Sequence, residues 1–258
     1  MTSRLSELSL FMPAYNEELN VSASIEECLQ ALPAFAERFE IIVVDDGSTD
    51  RTPEITREWT QRDERIRLVQ HDHNRGFGAA CKSGIVASRY QYIFYTDIDG
   101  QFRIRDLGRL IPLITNADIV SAYRLNRHDP PFRLFYAFCY NTLLKIMFGL
   151  PFRDVDASFK LYRRGVFDRF QIESETGFSD AETLCKARIF GMRVRQVGVP
   201  HYARRAGMVS FQSSHRGLLR GLVRFGAIKD LWNDLWRFRQ RAMRGYYWNL
   251  QRRHATIA

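Results

Sequence analysis

The residues of this chain best equipped for chemistry are acids that follow short apolar runs. Asp97 and Asp99 flank Ile98 in TDIDGQF (residues 96–102), directly after the run at 92–95. If a strand ends there, alternate side chains share a face and both carboxylates can look into one site. Hard oxygen donors of this kind suit Mg²⁺ or Mn²⁺, above all when the ion is shared with a diphosphate. Gln101 continues the alternation and could add a neutral oxygen. The same residues also suit a solvated turn, since Asp-Gly is common in turns. A second acidic pair, Asp45 and Asp46, follows IIVV. A carboxylate there can accept a hydrogen bond from a nucleobase N–H or a ribose hydroxyl, although DDGSTD (45–50) also reads as a helix-capping loop. A third segment, NRGFGAACKSG (74–84), has glycines that let backbone approach a ligand or a neighbouring strand. It lacks the spacing of a phosphate-binding P-loop, and it does not open the first helix after the first strand as a dinucleotide fingerprint does.

These motifs need elements to hold them. Apolar runs at 8–14, 39–46, 65–70, 92–95 and 118–122 read as buried strands. Helical periodicity or small-residue character marks 21–39, 53–62, 76–88 and 104–114, with Ser48 and Asp50 as caps for 53–62. Strands alternating with helices imply an α/β fold, a mostly parallel sheet with helices on both faces. Ligands of such sheets lie beyond the carboxyl ends of the strands, where the polar motifs fall. After Arg124 the order changes: a polar loop at 127–131 precedes the aromatic segment 132–148. That segment reads as a core helix, or as a helix near a membrane or near an acceptor's lipid chain.

Charge is unevenly distributed. The 258 residues carry a formal net charge of +9, and from Arg216 onward ten Lys/Arg stand against two acids. Three of the four tryptophans, Trp232, Trp236 and Trp248, lie in this stretch. Leu218, Leu219, Leu222, Val223, Leu231, Trp232, Leu235 and Trp236 recur at helical spacing, with Arg216, Arg220 and Arg224 on another face. A basic amphipathic helix bearing tryptophan is expected to lie on a membrane surface or to pack on its own domain. The division expected is a catalytic domain at 1–212 and a basic helical tail at 213–258. The longest uncharged run, Leu134 to Leu144, has eleven residues, short of the roughly 20 needed to span a bilayer. No secretory signal is visible. The four cysteines have no C-x-x-C spacing, which argues against a zinc ribbon or a disulfide scaffold and for a reducing compartment. No nucleic-acid module is recognisable, so nucleic acid is not an expected partner.

Taken in order, PAYNEE (13–18), VVDDGSTD (43–50), NRGFGAACKSG and TDIDGQF resemble the family-2 inverting glycosyltransferases of GT-A fold. DVDASFKLYRR (154–164), GFSDAE (177–182) and VPHYARRAG (199–207) extend the likeness across roughly residues 7–210, nearest the dolichyl-phosphate mannose synthase and polyprenyl-phosphate glycosyltransferase branch. The resemblance implies a GT-A sheet, a nucleotide-sugar donor (GDP- or UDP-linked), a polyprenyl phosphate acceptor and Mg²⁺ or Mn²⁺. It assigns Pro13, Tyr15, Glu17, Asp45, Lys82, Asp97 and Ile98 to the nucleotide sugar, and Asp97, Asp99 and Gln101 to the metal. It gives Arg124 and Arg133 to the acceptor phosphate, and Asp99, Asp180 and Arg204 to catalysis. Asp180 would be the base or would orient the acceptor, although it also suits a helix cap. Asp154, Asp156 and His201 are further candidates on the acceptor side. The expected setting is the cytoplasmic face of a membrane, held by the tail and by a membrane-embedded partner subunit. Transfer to a hydroxyl of a glycan, nucleotidyl transfer and a non-enzymatic membrane module are the competing functions.

Overall fold

The computed structural model of the chain describes residues 4–126, 131–207 and 219–245, without the side chains of 131–133, 136, 219–228, 230 and 231. Its strands are β1 (Leu5–Ala14), β2 (Ala36–Asp45), β3 (Ile66–Gln70), β4 (Tyr92–Thr96), β5 (Ile119–Leu125), β6 (Phe159–Arg163) and β7 (Val194–Pro200). Its helices are α1 (Val21–Ala31), α2 (Thr52–Arg62), α3 (Phe77–Ala87), α4 (Ile111–Ile114), α5 (Pro131–Phe148), α6 (Gly165–Arg169), α7 (Ser179–Ile189) and α8 (Leu219–Met243). The seven strands form one sheet in the order β3-β2-β1-β4-β6-β5-β7. Pairing is parallel except along β6, which runs antiparallel to β4 and β5. The sheet therefore matches the α/β, mostly parallel architecture expected from the sequence.

Both faces of the sheet are covered, which explains why its central strands read as unbroken apolar runs. Leu10, Met12, Ile41 and Val43 point into one core with Ile25 of α1, while Phe11, Ile42 and Val44 point into the other with Ala80 of α3 and Leu184 of α7. Glycine sets how closely α3 approaches: a Cβ on Gly84 would lie 2.3 Å from the Phe11 ring.

Three local expectations change. The periodic stretch 21–39 is a helix only to Ala31, followed by a 3₁₀ turn at Leu32–Ala34 and the start of β2; Pro33 cannot continue the α-helical hydrogen bonding. Residues 104–114 break into a 3₁₀ segment, Ile104–Arg109, and α4, which begins beside Pro112. Ser48 does not cap α2; its hydroxyl accepts from the Asn16 N–H at 2.9 Å, while Asp50 accepts from the Thr52 N–H at 3.0 Å.

Of the expected apolar stripe on the C-terminal helix, the side chains described are those of Trp232, Leu235 and Trp236. Leu235 and Phe238 are buried, with Phe238 packed against Phe148 and Phe178 at ring separations of 5.5 and 5.6 Å. Asp234 accepts from the Ser174 and Thr176 hydroxyls at 2.6 and 3.0 Å. Trp232 and Trp236 instead face outward and stack at 6.4 Å. Residues 208–218, where the tail was expected to begin, lie outside the described residues, as does Trp248. Among the described residues no helix is long and apolar enough to cross a membrane.

Candidate active site

The loops after β1, β2 and β4 meet at one end of the sheet. Asn16 adopts a left-handed φ of 55° just after β1, turning the chain into α1. The Ser48 hydroxyl and Thr52 Oγ1 accept from the Asn16 and Glu17 N–H groups at 2.9 and 2.8 Å. PAYNEE and DDGSTD therefore form one stitched surface, with Pro13 and Tyr15 partly exposed upon it.

The adjacent acids after β2 have separate roles. Asp46 holds the glycine loop: its oxygens accept from the Arg75 N–H at 3.0 Å and the Gly76 N–H at 2.8 Å, and His71 Nδ1 stands 2.6 Å away. His71 Nε2 reaches the Ser83 hydroxyl at 2.8 Å, which ties the loop to α3. Asp45 is fully buried; its Oδ1 accepts from the Ser48 N–H at 3.3 Å, while its Oδ2 has no partner. Burial pushes the Asp45 carboxyl above its ordinary range. A buried acceptor left open is costly, and a ligand N–H or O–H would complete it. Lys82 projects from α3 toward Glu175, at 3.4 Å.

Asp97 and Asp99 follow β4 with the buried Ile98 between them. The Ser24 hydroxyl donates to the Ile98 carbonyl at 2.5 Å, which anchors the loop to α1. Asp99 Oδ1 accepts from the Gln101 N–H at 3.0 Å, and its Oδ2 faces Arg204 Nη1 at 3.0 Å. Arg204 also donates to Glu17 Oε1, and the Asn20 amide donates to Glu17 Oε2 at 2.7 Å. Burial, then the neighbouring Asp99 charge, raises the Asp97 carboxyl to about 8. Burial also raises Asp99 and Glu17, against the pull of Arg204. At these carboxyls burial outweighs the nearby arginines, and a divalent cation would add to the compensation that Arg204 gives. Among the described residues no group of three or more His, Cys, Asp or Glu stands ready to hold a metal. Asp97 and Asp99 fit a hard cation that takes its other oxygens from a diphosphate. The Gln101 backbone is committed at both ends, since its carbonyl accepts from the Tyr202 N–H at 2.9 Å.

A second charged cluster lies beside the first. Arg124 at the end of β5 grips Asp154 fork to fork, at 2.8 and 2.7 Å. Lys160 of β6 is fully buried; its ammonium stands 2.8 Å from Asp180 Oδ1 and donates to the Ala157 carbonyl at 2.7 Å. Asp180 opens α7, where the helix N-terminus favours an anion. Burial raises Asp180 while Lys160 opposes the rise. Burial and the Asp180 charge push Asp156 up to about 7, and Asp156 Oδ1 is buried without a partner. Asp97 feels both Asp180 and Arg124, so the two clusters form one electrostatic unit.

The site thus brings Glu17, Asp97, Asp99 and Arg204 together, and places Asp180 and Arg124 alongside. Asp45 lies at the β2 end and Lys82 on α3. The side chain of Arg133 is outside the described residues. His201 is buried edge-on to Phe102 at 5.4 Å. Sequence reasoning missed Lys160 and the bracing role of Asp46 with His71. Lys160 sits in an alternating strand segment, FKLYR, where a buried lysine gives no periodic signal. The Asp46 contact was partly signalled by two acids before a glycine-rich loop.

The profile of glycosyl transferase family 2 matches residues 9–170. A dodecaprenyl-phosphate galacturonate synthase from Rhizobium johnstonii is 28% identical over 249 residues, covering 93% of this chain and 70% of that protein. The human dolichyl-phosphate beta-glucosyltransferase is 28% identical, covering 76% of this chain and 68% of that protein. Among solved structures, a mannosyltransferase from Pyrobaculum calidifontis in complex with GDP-Man and Mn²⁺ superposes with a TM-score of 0.61 at 20% identity, covering 81% of this chain and 60% of that one. Glucosyl-3-phosphoglycerate synthase from Mycobacterium tuberculosis, in complex with Mn²⁺, UDP and glucosyl-3-phosphoglycerate, gives 0.61 at 17% identity, covering 79% and 73%.

Proposed function

This chain belongs to glycosyl transferase family 2, and on that premise we propose that it moves a hexose from a GDP- or UDP-sugar to a polyprenyl or dolichyl phosphate, with inversion at the anomeric carbon. The observation that carries the reading is the pairing of two charged clusters at one end of the sheet. One suits a metal-bound diphosphate, and the other sets Arg124 and Lys160 among acids beside it. Relatives named as dodecaprenyl-phosphate and dolichyl-phosphate glycosyltransferases support the same acceptor class.

The donor nucleotide would lie over Pro13 and Tyr15, with Asp45 Oδ2 accepting from its base or ribose. Glu17, Lys82 and the Asp97–Ile98 loop would border the diphosphate and sugar. Asp97 and Asp99, with the Gln101 side chain, would hold Mg²⁺ or Mn²⁺; that ion, when bound, stabilises the charge growing on the leaving nucleoside diphosphate. Arg204 would add a guanidinium to the same oxygens. Arg124 and Arg133 would orient the acceptor phosphate for attack on the opposite face of the sugar. A phosphate is already ionised near neutral pH and needs little help from a base, so Asp180 would serve to position it. The second reading is a hydroxyl acceptor. It is favoured by Asp156, raised to about 7 and so near the operating pH at which a base works best, beside Asp180, which burial also raises.

Membrane contact would come from α8 and the basic residues after Arg216. The exposed Trp232–Trp236 pair on α8, and exposed Phe135, Phe138 and Ile146 on α5, support a peripheral position. The cytoplasmic face and a membrane-embedded partner subunit belong to this proposal, as does a boundary near residue 212 between catalytic domain and tail.

The test is incubation of the protein with polyprenyl phosphate, GDP- and UDP-sugars, and Mn²⁺, Mg²⁺ or EDTA. The expected result is metal-dependent sugar in the lipid fraction that Asp99→Ala abolishes. Nucleoside diphosphate release without lipid product, but with labelled hydroxyl acceptors and dependence on Asp180, would replace the first reading with the second. Deletion of residues 216–258 should release the protein from anionic vesicles; unchanged binding would defeat the membrane role of the tail.

A further inference from the structure

Arg204 stands where a cation is wanted. Both oxygens of Asp99 are engaged, Oδ1 by the Gln101 N–H at 3.0 Å and Oδ2 by Arg204 Nη1 at 3.0 Å. The same guanidinium donates through Nη2 to Glu17 Oε1, and its Nε donates to the Ala206 carbonyl at 2.9 Å. The arginine is held in place by its own loop. The Arg205 N–H donates to the Asp99 carbonyl at 3.0 Å, and the Asn20 amide donates to the Ala206 carbonyl at 3.0 Å. Its side chain is only 15% exposed, so the pairs with Asp99 and Glu17 are shielded from water and salt.

We propose that Arg204 is a built-in counter-cation that competes with the divalent metal for Asp99, so that metal and nucleoside diphosphate bind cooperatively and metal alone binds poorly. The inference rests on the reading of Asp97 and Asp99 as metal-holding residues. Its physical basis is the charge balance. Without donor, one guanidinium compensates two carboxylates. A metal arriving alone must enter beside that positive charge, or displace it and leave it with Glu17 only. A diphosphate arriving with the metal gives the guanidinium a new anionic partner, so the exchange no longer strands a buried charge. Each ligand therefore raises the affinity of the other by the same factor. Arg204 is thereby a positioning residue before donor binding, in addition to its proposed part in stabilising the leaving group.

The test measures Mn²⁺ binding by electron paramagnetic resonance, on the full chain and on Arg204→Met, with no nucleotide and with saturating GDP or UDP. For the unaltered protein, nucleotide should tighten Mn²⁺ binding about tenfold or more. Arg204→Met should bind Mn²⁺ without nucleotide about tenfold more tightly than the parent and lose most of the coupling. Arg204→Lys keeps the charge and should keep binding of Mn²⁺ alone weak. Thermal melts establish that each variant is folded. Equal or weaker Mn²⁺ binding by folded Arg204→Met overturns the inference while leaving the metal site standing. No Mn²⁺ binding by the parent or by Arg204→Met, with either nucleotide, overturns the metal site and the inference together. Retention of tight binding in Asp99→Asn would place the metal elsewhere and overturn both as well.

Discussion

Replacing Lys160 by Met removes a buried ammonium and leaves Asp180 to manage alone. Lys160 is fully buried and Asp180 nearly so, at a separation of 2.8 Å. Removing one partner of such a pair costs about 3–5 kcal/mol, because the remaining charge has no compensation. Asp180 can limit the loss by taking up a proton. Starting from an ordinary aspartate value of about 3.9, protonation at pH 7 costs roughly 1.36 kcal/mol per pH unit over about 3 units, or near 4 kcal/mol. The two routes agree, so the expected destabilisation near neutral pH is about 4 kcal/mol. At about 2–4 °C per kcal/mol for a chain of this size, the midpoint of melting should fall by about 8–16 °C. The pH dependence has a definite sign. In the variant the folded state holds a proton on Asp180 that the unfolded chain releases above about pH 4, so stability falls as pH rises. The deficit relative to the parent protein should therefore be smaller at pH 5 than at pH 8. Thermal or urea unfolding at the two pH values measures it. The double variant Lys160→Met/Asp180→Asn removes both charges and should recover most of the loss. A single variant as stable as the parent at pH 8, or a double variant no better than the single, would refute the reasoning.

Three further outcomes follow from the geometry. Asp45→Asn should weaken nucleotide binding about tenfold, near 1.4 kcal/mol for an anionic acceptor lost, while the melting temperature stays level or rises, because burial disfavours the Asp45 charge; isothermal calorimetry with GDP and UDP and a thermal melt read both. Asp156, raised to about 7, holds a proton in the folded state over a range where the unfolded chain has released it, so it takes stability away as pH climbs from about 4 toward 7; Asp156→Asn should flatten that slope in a pH series of melts. Gly84→Ala would press a Cβ within 2.3 Å of the Phe11 ring, and should cost about 1–3 kcal/mol through overpacking, read as a shift of the urea midpoint at constant slope.

Much of this molecule is local and therefore legible in the sequence. The apolar runs of β1, β2 and β4 announce strands covered on both faces, and each is followed by polar residues that line the site. The pair Asp97 and Asp99 is legible as acids directly after a strand, although β4 ends at Thr96 and the pair lies in the loop beyond it. Other features are non-local. Asp45 and Asp46 are adjacent and chemically identical, yet one braces Arg75, Gly76 and His71 while the other keeps an open oxygen; the difference comes from a loop thirty residues away. Lys160 meets Asp180 only because β6 runs antiparallel between β4 and β5 and carries its side chain toward the start of α7. Arg204 reaches Glu17 and Asp99 across 187 and 105 residues of chain. On α8, helical spacing alone gave Leu235 and Trp236 one stripe, and packing against Phe148 and Phe178 chose Leu235 with Phe238 for the core and left the tryptophans outside. Periodicity and residue type thus marked β1 to β5 and the helical segments between them, since these depend on neighbours in sequence, but not β6 and β7. The tertiary structure decided which charge faces which, because ion pairing and burial depend on distances in space that spacing along the chain does not encode.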